Sequence, residues 1–451
     1  MQARPIKHDE TPDLFRSELK SIINLDHELI QLSELINWEG LDREFSKFFP
    51  SPCGKEATRT RLIVGLFYLK AAYKVSDEDL PQRWVENPYW QYFCGEQYLQ
   101  HQFPIDRTTI SKWRKRLKET DVEKLLAETI RLGLETEIIR ENDLEKVIAD
   151  TTVQEKAITY PTDSKLYFAA REKLVDLSKE HGLDLRQTYI RVGKECLWKS
   201  QRYGHAKQMK RMKKQVKKLK TYLGCVYRDV KRQLVTHPDL ELYFSEMMCL
   251  TEKLLNQKRE DKNKLYSLHA PEVECIGKGK ANKHYEFGVK VSLVTPSRKN
   301  FVIGIQALPG NPYDGHSLRG ALNQVEKLTG KRSRSCYVDL GYRGHEETES
   351  EVFISRQKKN YQTRKMKAAM KRRNAVEPLI GHLKSDHHLG RNYLKGKLGD
   401  QLNAIFSGMG YNLRVILKKL RLLFTNIFYD LYSLIFKNNF FFDKLSALAL
   451  L

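Results

Sequence analysis

Apolar residues recur at i, i+3 and i+4 through "DHELIQLSELI" (26–36) and "ATRTRLIVGLFYLKAAYKV" (57–75), the period of helices that bury one face. "SDEDLPQRWVENPYWQYFCG" (76–95) opens on a Ser-capped acidic turn, and "DRTTISKWRKRLKE" (106–119) begins a further capped helix. Residues 1–140 therefore read as an all-helical unit. Short helices joined by tight turns, the last carrying Arg107, Lys112, Arg114 and Lys115, predict a helix-turn-helix-like DNA-binding domain. In that motif the second helix faces base edges while basic side chains meet phosphate. The plainer alternative is a helical bundle with a solvated basic face and Trp113 in its core.

The texture changes near residue 144. "KVIADTTVQEKAI" (146–158) is a β-branched apolar run that reads as a strand closing on Asp150. Residues 165–265 turn helical again and very basic. "VKVSLVTPSRKNFVIGIQAL" predicts a hairpin turning at Pro296–Asn300, and "SLRGALNQVEKLTG" a helix closed by Gly330. Cys336 to Val338 form a second strand stopping on an acid, Asp339, before a glycine turn that holds Tyr342 and Arg343. A short strand "EVFIS" and a basic helical stretch around "KRRNAVEPLIGHLKSDHHLGRNYL" follow. Strand, hairpin, helix, strand and helix in one unit, 144–420, predict a mixed α/β sheet with a helical insertion after its first strand. Residues 421–451 form an apolar tail, and its interruptions by Asn426, Asp430 and Lys437 favour an amphipathic helix over a membrane span.

Inside the insertion, Met209, Met212, Val216, Leu219, Leu223, Val226 and Val230 alternate in steps of three and four, a heptad seam. The other face carries Lys213, Lys214, Lys217 and Lys218 among further cations. "LELYFSEMMCLTEKLLNQ" is the expected antiparallel partner for the seam, with pairing of two subunits as the alternative.

Charge narrows the class. The chain of 451 residues has 79 Lys+Arg against 56 Asp+Glu, a formal charge of +23, and its 41% hydrophobic content excludes a disordered chain. Such an excess suits a polyanion, because cations that neutralise phosphates release condensed counterions. Seven scattered cysteines without a C-x-x-C pair exclude a disulfide framework and a zinc ribbon, and fit a reducing cytosol.

The acids bring chemistry. Asp150 and Asp339 both stop apolar runs, and Glu377 follows at the start of a helix. If the two strands are neighbours, their carboxylates share one edge of the sheet, where three uncompensated acids would repel one another. Hard cations resolve this: Mg²⁺ takes oxygen ligands, and two such ions serve phosphoryl transfer. Lys384, seven residues on, shares the helix face of Glu377; Arg373, four residues before, does so only if the helix extends back past Pro378. Both cations suit DNA phosphate, as does Arg343 in its glycine turn, which a structural ion pair would equally explain.

"IADTTVQEKAITYPTD", "YVDLGYRGH" and "RNAVEPLIGHLKSDHHLGRNYL", with the linking "HAPEVECIGKGKANKHYEFG" and "LPGNPYDGHSL", resemble bacterial insertion-sequence transposases of the DDE class, in particular the group conventionally numbered five. The resemblance covers roughly residues 15–420. It implies a ribonuclease-H-like catalytic fold, with Asp150, Asp339 and Glu377 as ligands of two Mg²⁺ ions (Mn²⁺ as substitute). The signature Y-x-x-R-x-x-x-E-x6-K is met at Arg373, Glu377 and Lys384, while Met370 stands at its tyrosine. The implied activity is cleavage and strand transfer on double-stranded DNA, at terminal inverted repeats and target, by a cytoplasmic homodimer without a membrane. A nuclease of the same fold and a domesticated DNA-binding protein are the alternatives.

Overall fold

Val147, Ile148 and Ala149 are consecutive and all buried, so the strand they open is covered on both faces. In the computed structural model, which describes residues 16–48, 58–258, 260–277, 284–355 and 364–448, this strand is β1 (Lys146–Glu155). It is joined by β2 (Glu274–Gly277), β3 (Tyr285–Pro296), β4 (Gly304–Leu308), β5 (Ser335–Val338) and β6 (Glu351–Ile354). The order is β2-β3-β1-β5-β6, with β4 also on β3. β3 runs antiparallel to β1, β2 and β4, whereas β5 and β6 run parallel to β1. A helical N-terminal part and a mixed sheet are compatible with what the sequence pattern predicts.

One expectation needs correcting. β1 does not stop at Asp150 but runs on to Glu155, because β3 pairs with it from Val147 through Glu155. Its other edge behaves differently: pairing with β5 covers Lys146–Ile148 against Ser335–Tyr337 and goes no further. Asp150 therefore lies mid-strand, yet at the place where the β5 edge opens.

Helices Thr60–Tyr73 and Glu119–Glu135 pack on the long helix Gly396–Leu448, which also packs on β4. Their buried side chains and those of the sheet form one continuous core. The helices close tightly at Gly410, where a Cβ would stand 2.3 Å from the Ala71 carbonyl oxygen, so only glycine fits. The buried Asn412 amide completes the join, donating to Thr129 Oγ1 (3.1 Å) and the Val302 carbonyl (2.8 Å) and accepting from the Val302 amide (2.9 Å).

The insertion contains helices Asp163–Glu180, Ile190–His205, Met209–Thr236 and Glu241–Asn256, with a hydrophobic core of its own. The heptad seam is covered inside the chain, but its main partners are Asp163–Glu180 and Ile190–His205, and Glu241–Asn256 adds a smaller contact. Leu219, Leu223, Val226 and Val230 are buried, whereas Met209, in the first turn, is half exposed. The apolar run is longer than the helices that flank it.

Candidate active site

β1 and β5 place the two aspartates. Ile148 pairs with Tyr337, so two residues further along parallel strands Asp150 and Asp339 stand opposite each other. Asp339 Oδ1 accepts from the Leu340 amide (2.6 Å) and Ser355 Oγ (3.0 Å), and so caps the turn as well. Asp150 Oδ1 accepts from the Thr151 amide at 2.8 Å. The second oxygen of Asp150 meets Arg373.

Arg373, the last residue of helix Arg364–Arg373, reaches both acids: Nη1 is 3.4 Å from Asp150 Oδ2 and Nη2 is 3.8 Å from Asp339 Oδ1. Arg372 turns the other way and donates to the Ser297 carbonyl (2.9 Å) and to that of Arg298, which fixes the helix end over the β3–β4 turn. Arg373 is thus held among the acids rather than on an open surface.

The helix breaks at Asn374–Ala375 and restarts as Val376–Asp386. Pro378 sits in the first turn, where its missing N–H leaves no intrahelical bond unmade. Glu377 is exposed in that same turn, where a carboxylate is favoured by the helix dipole. Lys384 lies half-buried in the last turn, and Met370, at the signature's tyrosine position, packs against the main core. Among the described residues, no three Asp, Glu, His or Cys side chains are gathered as a metal site. The fold unites Asp150 and Asp339 around Arg373; Glu377 stands just past the helix break without joining that cluster.

Sequence reasoning did not assign a role to Asp314. It begins helix Asp314–Thr329 and accepts from Thr151 Oγ1 and Lys290 Nζ, both at 3.1 Å. Its Oδ2 lies 3.1 Å from where a Cβ on Gly341 would be, so the acid is wedged between β1 and the turn after Asp339. Beside it the Tyr342 phenol is buried without a hydrogen-bond partner, its ionisation pushed far up by burial and then by the charges of Asp150 and Asp314. The signal was present in "LPGNPYDGHSL", whose acid opens a helix.

The basic residues divide. Arg107, Lys112 and Lys115 are exposed on helix Arg107–Arg116, which Asp106 caps through the Thr108 amide (2.8 Å). Arg114 is not exposed: it is buried and paired with Asp77, which also pairs with Lys70. Its assignment to the exposed DNA-facing side of this helix, beside Arg107, Lys112 and Lys115, is corrected on this ground, because it stands on the apolar stripe of Ile110, Trp113 and Leu117. Lys213, Lys214, Lys217 and Lys218 are exposed on the insertion, and Arg343 is exposed on its turn.

Among known families, residues 17–116 match the model described as "Transposase domain (DUF772)". Residues 260–413 match the one described as "Transposase DDE domain". A relative from Rhizobium meliloti, "Uncharacterized protein ORF8 in nfe locus", is 47% identical over 196 residues, which cover 44% of this chain and 94% of that protein. No solved structure matches.

Proposed function

The chain belongs to the insertion-sequence DDE transposases, enzymes that act on DNA, and from that premise we propose that it cuts and joins the ends of its own element. On this reading it binds the terminal inverted repeats, hydrolyses a strand at each end, and transfers the freed 3′-hydroxyl to target DNA. The observation that carries it is the facing of Asp150 and Asp339 on neighbouring parallel strands, bridged by a single guanidinium. A DDE domain implies a ribonuclease-H-like fold, and the sheet order here is compatible with one.

DDE transposases use divalent metal ions, and Asp150 and Asp339 fit such an ion: carboxylate oxygens held on neighbouring parallel strands, with Glu377 supplying a third carboxylate from the helix beyond the break. Asp150, Asp339 and Glu377 would hold two Mg²⁺ ions, or Mn²⁺, which supply charge neutralisation at the attacking and leaving oxygens. The chain's own residues do the remainder. Arg373 and Lys384 grip phosphates beside the reacting bond, with Arg343 on the turn next to Asp339. Arg107, Lys112 and Lys115 hold the repeat, and the insertion lysines lie along the same duplex. Two copies of the chain pair in the DNA complex, one at each end.

The test uses purified protein and linear DNA carrying the element's own ends, with and without Mg²⁺. Asp150→Asn, Asp339→Asn and Glu377→Gln should each lower cleavage at least about a thousandfold, the scale of losing charge stabilisation at a phosphoryl centre, and leave end binding within about twofold. Near-normal cleavage by any one variant removes that residue from the metal site.

A further inference from the structure

A cavity of ≈ 570 Å³ opens at the seam between the N-terminal helices and the segment that follows the Glu377 helix. Lys70, Asp77 and Arg114 line it from the N-terminal unit, and His388, Arg391 and Tyr393 from the later segment. Three of its lining residues are Lys or Arg and two, Asp77 and Glu78, are carboxylates. Asp77 is already spent, since both Lys70 and Arg114 pair with it. Glu78 is exposed at the rim. The balance facing inward is cationic.

Several groups here are incompletely used. The Arg114 Nε is buried with no hydrogen-bond partner, and so is the His388 Nε2. His388 is held at φ +61°, a left-handed conformation that a non-glycine side chain adopts at a cost of about 1 kcal/mol. The exposed Arg391 lays its guanidinium over the Tyr393 ring, 5.4 Å from the centroid, so both side chains stand ready at the mouth. Lys395 and Lys397, next along the chain, are exposed as well. Below this mouth, Gly390 packs on the last turn of the Glu377 helix, where a Cβ would be 2.8 Å from the Lys384 carbonyl. Glu377 and Lys384 stand on this same helix, seven residues or about 10 Å apart along its axis, so the cavity adjoins the far end of the helix that carries Glu377.

We propose that this cavity seats a backbone phosphate of the DNA strand that enters the active site, held by Arg391 at the mouth with Lys70, Arg114 and His388 behind. The proposal rests on the transposase reading above and adds a site to it. Its place gives it a consequence: one phosphate would touch both the N-terminal helical unit and the element carrying Glu377, so an engaged DNA end would fix their spacing. The buried Arg114 Nε–H gains an acceptor in the bound state, which makes the free state the less satisfied one.

The experiment measures binding of the full chain to a labelled duplex bearing the element's end across a range of KCl. The parent is compared with Arg391→Ala and, as a second and conservative variant, His388→Gln. A parallel arm follows the melting of the parent chain with inorganic phosphate against chloride at matched ionic strength. Arg391→Ala should weaken binding about fivefold to twentyfold and lower the salt slope by about one, the signature of one lost phosphate contact. His388→Gln should weaken binding less, and both should melt like the parent. An unchanged salt slope in Arg391→Ala, with the parent binding normally, overturns the site alone. A parent that binds no duplex overturns the transposase reading and this site together. Stabilisation by inorganic phosphate that Arg391→Ala abolishes, without any change in DNA binding, marks a free-anion site and overturns the DNA assignment.

Discussion

Arg373 stands where two carboxylates on adjacent strands need a cation, and it reaches both. Asp339 is about half exposed, so water screens much of the pairing and its worth to stability is small. Its effect on metal affinity is larger in kind. A fixed positive charge about 4 Å from a divalent cation opposes it by ~2–8 kcal/mol before screening, depending on the local dielectric. Arg373→Ala should therefore tighten Mn²⁺ binding to the DNA-free protein about tenfold in a calorimetric titration, while DNA cleavage falls for want of a phosphate clamp. Looser Mn²⁺ binding would show that the arginine organises the acids instead. A second buried cation-former gives a pH prediction. His387 packs against Tyr411, hydrogen-bonds the Ala71 carbonyl at 3.2 Å, and is pushed down to about 4 by burial. Arg414 and His388 oppose its charging further, while the Ala71 carbonyl and Asp386 favour it. The unfolded chain takes up this proton near 6.5 and the folded chain only near 4, so the contribution is complete above 6.5 and is lost as pH falls towards 4. It is worth at most about 3 kcal/mol. Urea midpoints at pH 7 and pH 5 should differ less for His387→Asn than for the parent.

At the scale of elements, much was legible because periodicity is local. The i, i+3, i+4 stripes gave the N-terminal helices, and the β-branched runs gave β1 and β5 with their acids. The end of β1 was not legible: "TTVQE" continues the strand only because β3, far along the chain, supplies hydrogen bonds to Glu155. Glu377 was placed correctly at a helix start, since Pro378 tolerates only the first turn. Arg114 was misread for want of its partner, as Asp77 lies on another helix connection. Its own helix held the clue, because Ile110, Trp113, Arg114 and Leu117 share the helical period and all are buried. The distinction is testable on neighbouring residues. Arg114→Ala should cost about 2 kcal/mol, read from the urea midpoint, because Asp77 and Lys70 lose a partner in a half-buried network. Lys115→Ala, on the exposed face, should leave that midpoint within about 0.5 kcal/mol and weaken binding to end DNA. If Lys115→Ala binds end DNA like the parent, helix Arg107–Arg116 does not read the repeat.

Taken whole, the molecule carries its +23 charge unevenly, and the insertion is where that matters most. Composition separated residues 1–140 from the α/β part, yet their buried side chains merge into one core, because helix packing across long sequence distances leaves no local trace. The insertion, by contrast, has its own core, so its surface can be altered without disturbing the sheet. Its seam is covered by helices of the same chain, which leaves the lysine face, and not the seam, to meet a partner. Lys213 and Lys217, like Lys214 and Lys218, stand at i, i+4 and are exposed. Such like-charge pairs cost a free helix about 0.2–0.5 kcal/mol each, a cost that DNA phosphate offsets. Replacing the four lysines with Gln should therefore leave the melting temperature unchanged or slightly raised. It should weaken binding to every DNA sequence alike and flatten the salt slope by up to about three or four, each contact releasing about 0.9 counterions. Anisotropy titrations against end and unrelated duplexes across a KCl series read both quantities. An unchanged slope with intact folding would make the lysine face a solvated surface, and DNA would then run elsewhere over the molecule.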